Sequence, residues 1–185
     1  ALRETLEEPN KTAALITPDR HLSERVKNAL IRWDISIDDS AGQSLDKTLL
    51  GRFFLLIIKT VSSGFQPSVL LALLRNPLCS AFSDEEITRL ETALLRGPRP
   101  PANIEGLQQW QRNKRIKAEE SQNLSEIDNL AKVAEYLEKL ELTFAPALDL
   151  KNNSQTVRPY VLKHVQIAEQ LSKGPNALWA GETGE

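Results

Sequence analysis

The stretch from Thr48 to Ser63 carries Leu49, Leu50, Phe53, Phe54, Leu55, Leu56, Ile57, Ile58 and Val61, and nothing else in the chain limits the fold as strongly. Apolar side chains at nearly every position leave no polar face for water, so the segment is expected to be a helix buried on most sides. Other elements must then surround it. Its unbroken run, Phe53 to Ile58, is far too short to span a bilayer. Gly64 supplies the stop. The surrounding elements should also be helical, because Leu and Ala dominate the apolar residues and aromatic residues make up only 5% of the chain.

Helix signals recur to the C-terminal end. Pro67 to Leu74 reads as a short apolar helix stopped near Asn76-Pro77. Ser83-Asp84-Glu85-Glu86 is a capping box, with Ser83 as cap and Glu86 reaching back, and its helix is expected to run to Arg96 before Gly97-Pro98. Gly97-Pro98-Arg99-Pro100-Pro101 reads as a stiff connector. A weaker helix follows with Ile104, Leu107 and Trp110, then a longer one from Ser125 to Phe144 with Ile127, Leu130, Ala134, Leu137 and Leu140 on one stripe. Residues 149–156 read as a loop, and Pro159 to Ser172 as a last helix before Gly174-Pro175.

The N-terminal part reads differently. Thr12-Ala13-Ala14-Leu15-Ile16 is a short apolar run expected to form a buried strand. Thr17-Pro18-Asp19 should open a helix, with Thr17 as cap, Pro18 at the first helical position and Asp19 facing the positive dipole end. Leu22, Val26, Leu30 and Trp33 give that helix an apolar face. Asp34-Ile35-Ser36-Ile37-Asp38 alternates and is expected to be a second strand, closed by a turn at Asp38 to Gly42. The predicted fold is mainly α with a small strand–helix–strand unit at the N-terminal end.

Hydrophobic residues are 41% of the 185 and charged residues 26%, which suits a globular core and argues against wholesale disorder. The net charge of −2 does not advertise nucleic-acid binding, so any DNA contact needs a local patch. No secretory signal is evident, and the chain reads as cytosolic. It starts at Ala1, contains no Met and ends at Gly184-Glu185, which reads as an excised segment.

A motif search returns little chemistry. The G-x-x-x-x-G-K-[ST] phosphate loop, H-E-x-x-H, C-x-x-C and G-x-S-x-G are all missing. One cysteine, Cys79, supports neither a disulfide framework nor a cysteine metal cluster, and reads as a packed small side chain. Asp38 and Asp39 could hold a metal or act as a base; the plainer reading is a turn, because adjacent residues point in different directions. His21 and His164 lack evident partners. Arg112, Lys114, Arg115 and Lys117 form the best local candidate for phosphate contact, with Trp110 close enough to stack a base, and Arg96 with Arg99 is a second candidate. The plainer reading is a solvated helix face, since Glu119 and Glu120 follow at once.

Several segments resemble the AddB subunit of alphaproteobacterial AddAB helicase–nucleases. They are Ala13 to Val26, Trp33 through Gly42, then Thr48, Gly51 and Phe53, Gly64-Phe65-Gln66-Pro67 into Leu70 to Leu78, Glu91 to Pro98, and Leu178 to Glu182. The likeness is weakest around residues 103–155. It implies that residues 1–64 belong mostly to a RecA-like helicase lobe and 65–185 to a helical insertion, within a much larger bacterial cytoplasmic protein. It further implies a partner subunit, AddA, and double-strand-break DNA repair by recombination. The family's ATP, magnesium and iron–sulfur cluster would be held elsewhere, because the phosphate loop, nuclease carboxylates and cluster cysteines have no counterpart here. No catalytic residue and no metal ligand is carried over, and Thr17, Asp19, Arg20 and Arg25 acquire no role. The expected function is a non-catalytic region supplying scaffold and possible DNA or AddA contacts. The rival expectation is a stand-alone helical interaction module without DNA binding; a hidden enzyme using Asp38 and Asp39 ranks third.

Overall fold

The computed structural model describes residues 4–5, 7–8, 10–40, 42, 44–98, 102–148, 156–172 and 174–179, with only the backbone at 175 and 177. The chain divides into two compact units, Ala1–Gly42 and Gln43–Glu185.

The first unit contains one long helix, α1 (Arg20–Ile31). Asp19 is its cap, accepting from the N–H groups of His21 at 2.9 Å and Leu22 at 3.3 Å. This corrects the expected start by two residues. Thr17 Oγ1 accepts from Asp19 N at 3.1 Å and so holds the capping residue, one step before the helix. None of the unit's described residues is buried: Leu22 is 40% exposed and Trp33 59%.

The expected strand–helix–strand unit is not formed, so the RecA-like piece that the resemblance implied is not seen. Among the described residues there is no strand at all. Residues 12–16 are irregular, and Ile16 is 95% exposed. Ile35 N–H bonds back to Leu30 O at 3.2 Å, and Asp34 N–H to Ile31 O at 3.0 Å, with Asp34 at φ +56°. That pattern is a left-handed helix closure, so the alternation at Asp34-Ile35 begins as a C-cap. A strand exists only through a neighbour's ladder, and neither run has one.

All regular secondary structure among the second unit's described residues is helical. It comprises a short 3-10 turn (Leu45–Lys47), α2 (Leu49–Ser62), α3 (Pro67–Leu74), α4 (Asp84–Leu90) continuing as a π-helical turn (Glu91–Leu95), α5 (Asn103–Glu120), α6 (Leu124–Leu148), α7 (Val157–Leu171) and α8 (Pro175–Trp179). Thr48 caps α2 through Gly51 N–H at 2.9 Å. A Cβ on Gly51 would sit 1.7 Å from Leu45 O, so only glycine allows the 3-10 turn to lie against the helix. Gly64, at φ +65°, ends α2, and its carbonyl accepts Asn103 N–H at 2.9 Å, which ties the start of α5 to that corner. The capping box forms as read: Ser83 N–H donates to Glu86 Oε2 at 2.6 Å and Glu86 N–H to Ser83 Oγ at 3.3 Å.

The core draws on every helix of this unit, from Phe53 and Ile57 on α2 through Leu137, Leu140 and Phe144 on α6 to Leu171 on α7 and Leu178 on α8. Phe65 meets Phe144 edge to face at 5.1 Å. Helix α2 is buried on one face only: Phe53 and Ile57 are covered, whereas Ile58 is 51% exposed. No helix among the described residues is long and apolar enough to cross a membrane.

Candidate nucleic-acid interface

Helix α5 carries the basic run. Its inner face presents Ile104, Leu107, Gln111 and Ala118, all buried. Gln111 Nε2 donates to Leu130 O at 2.7 Å, pinning α5 to α6 inside the core. At 100° per residue, Trp110, Lys114 and Lys117 share one side of α5, while Arg112 and Arg115 fall on the other. The four basic residues that are neighbours in sequence therefore do not form one patch.

Lys114 reaches the middle of the π-helical turn and donates to Ala93 O at 2.5 Å. It borders a polar cleft of about 510 Å³ that also takes in Arg89, Asn123, Glu126, Asp128 and Lys132. Two of the cleft's cations are already paired, one of them with a residue outside its lining. Arg89 pairs with Glu85 at 2.7 Å and donates to Asn129 Oδ1 at 3.3 Å, and Lys132 pairs with Asp128 at 3.1 Å. A smaller recess of about 320 Å³ beside it is lined by Trp110, Lys117 and Ser121. Trp110 is only partly exposed and packs against the core, which leaves a limited ring surface for a base.

On the opposite side, Arg115 pairs with Glu119 at 3.0 Å, as the i, i+4 spacing favours. Arg112 and Lys117 are exposed and make no ion pair among the described residues. Arg96 is held elsewhere. Glu91 lies under two guanidiniums, with Arg75 at 2.7 Å on one oxygen and Arg96 at 2.8 Å on the other. Those hydrogen bonds, from Arg75 first and then Arg96, keep the Glu91 carboxyl below its usual range. Arg99 lies outside the described residues, as do residues 149–155 of the loop expected at 149–156 and the segment from Ala180 onward.

The remaining chemistry-bearing residues do not converge. Asp39 O accepts Gly42 N–H at 2.9 Å, in keeping with a turn. His21 is exposed at the start of α1. Cys79 is buried, which pushes its thiol up to about 11. Being single and enclosed, it does not fit an iron–sulfur cluster. His164 has a partner that the sequence did not disclose: its Nε2 lies 3.0 Å from Phe54 O, and its ring stands edge-on to Phe54 at 4.8 Å. It lines an apolar groove between α2 and α7 of about 580 Å³, bounded also by Ile57, Ile58, Val61, Tyr160 and Val161. The apolar excess of α2 was the one sequence signal for that groove.

No protein-family model, no curated protein and no solved structure matches this chain.

Proposed function

We propose that this chain is a non-catalytic region of an AddB-like subunit of a double-strand-break repair helicase–nuclease, supplying scaffold and a modest basic surface for DNA or for the AddA subunit. The reading rests on the AddB-like segments, and one observation favours taking them as meaningful. Alongside apolar runs they include residues that shape helix junctions: the cap Thr48 and close-packed Gly51, the left-handed Gly64, Pro67 at the start of α3, the doubly paired Glu91 and the left-handed Gly97.

Within that reading, Arg112 and Lys117, on different sides of α5, are the basic residues of that helix with neither an ion pair nor a side-chain hydrogen bond among the described residues, and each would meet phosphate separately. The test is DNA-end binding by the whole complex with R112E and K117E combined. A loss of binding at low salt, with folding intact, supports the surface; unchanged binding and an unchanged salt slope remove α5 from the DNA path.

A second reading, a helical interaction module that does not touch DNA, draws on the internal pairing of Lys114, Arg115 and Arg96. Co-expression with an AddA-type subunit separates the two: joint purification and ATP-dependent end resection support the first reading, and an AddA-independent protein without DNA affinity supports the second.

A further inference from the structure

The groove between α2 and α7 has the features of a protein-docking surface. Its floor is Ile57 and Ile167, both 1% exposed, and its rims are Ile58 at 51%, Tyr160 at 42% and Val161 at 52%. The apolar line continues past Val161 to Val157, one turn earlier on α7 and 76% exposed. Single exposed apolar side chains are ordinary, whereas here several of them line one groove of about 580 Å³. Its two walls are helices of 14 and 15 residues, each roughly 20 Å long. A cleft between two such ridges suits a third helix, whose anchors at i, i+3, i+4 and i+7 fall along one line. No strand edge is present among the described residues to recruit an extended peptide.

Charge narrows the occupant. The ionisable side chains lining the groove besides Tyr160 are Lys163 and His164, both basic. Helix α2 contains no acidic residue, and the single one of α7, Glu169, accepts the Trp179 indole N–H at 2.9 Å at the far end. His164 Nε2 is turned to the Phe54 carbonyl, so Lys163 is the cation left to meet an incoming group. We propose that this groove binds an amphipathic helix of a partner protein, with its apolar stripe on Ile58, Val61 and Val161 and an acidic residue at its flank against Lys163. The inference does not depend on the AddB-like reading.

The test uses the full chain and fluorescein-labelled helical peptides of ~15 residues with leucines at the anchor spacing. One peptide carries glutamate on its flanks, and its counterpart carries lysine at the same positions. The glutamate peptide is expected to bind with micromolar affinity and the lysine peptide at least about tenfold more weakly. V161D should abolish binding, and K163E should reverse the preference without touching the core; melting curves establish that both variants fold. Equal binding of the two peptides, or binding indifferent to V161D, overturns the proposal. Concentration-dependent dimerisation lost in V161D would overturn it in favour of a second copy of this chain. Uptake of a fluorescent fatty acid with neither peptide bound would do so in favour of a small amphiphile.

Discussion

Replacing Gln111 by Glu changes one atom's chemistry and almost nothing of its shape, at a position 4% exposed between α5 and α6. The wild-type amide donates to Leu130 O at 2.7 Å. An ionised carboxylate there turns an oxygen toward a carbonyl oxygen with no water to separate them. Burial alone raises a carboxyl pKa by some units, and the lost donor adds to it. A rise of about 2–3 units from an ordinary value near 4.3, at 1.36 kcal/mol per unit, costs about 3–4 kcal/mol at neutral pH. The protonated acid can donate to Leu130 O again. The penalty is therefore absent below the unfolded pKa and fully present above the raised folded one.

The assay is urea unfolding followed by far-ultraviolet circular dichroism, on wild type, Q111E and Q111L, at about pH 4.0 and pH 7.5, which bracket the window. Q111L loses the bond but keeps an apolar volume, so it should cost about 1 kcal/mol at both pH values. Q111E should be near wild type in acid and far below it at neutral pH. A Q111E penalty that is small and independent of pH would refute the reasoning, because it would mean that solvent reaches Gln111.

Three further outcomes follow from other contacts. Cys79, buried with its thiol pushed up to about 11, should exchange with an aromatic disulfide reagent, releasing its thiolate, only at the rate of unfolding, so its labelling should track urea concentration. Lys139 donates to Ala81 O at 2.7 Å and lies 4.3 Å over the Phe82 ring; half-exposed as it is, K139A should lower stability by about 1 kcal/mol by urea titration. Burial lowers the His164 pKa, so the unfolded chain takes the proton first; stability should be full above pH ~6.5, fall as pH drops through that value, and do so less in H164Q.

The parts of the fold legible in the sequence are those fixed by neighbours within one turn. Ser83 and Glu86 find each other three residues apart, and Pro67 and Gly64 carry their backbone preference with them. The same logic explains a miss. Asp34 and Gln122 take the left-handed closure that Gly64 takes, at φ +56° and +53°, but neither is glycine and neither announces it. The strands at 12–16 and 34–38 failed for the opposite reason, since strand formation depends on a distant partner that apolar alternation does not supply. The basic quartet on α5 was visible as composition, but its division between two helix sides needs the 100° step, and the Lys114 contact to Ala93 spans 21 residues.

That contact also bears on the proposed DNA surface. Lys114 and Lys139 both reach backbone carbonyls of other segments, while Arg75 and Arg96 share Glu91, so these cations act as ties between elements. A phosphate would have to displace those partners. Arg112 and Lys117 alone on α5 have none among the described residues. Two neutralised phosphates give a slope of log K against log salt of about −1.8 on duplex and about −1.4 on single strands, far shallower than a dedicated DNA-binding surface. Fluorescence anisotropy of the purified chain across a salt series measures it directly. A slope near −4 would mean that Lys114 and Arg115 leave their partners on binding, and would restore the four as a working patch. A slope of about −2 that vanishes in R112E/K117E would assign the whole contact to those two.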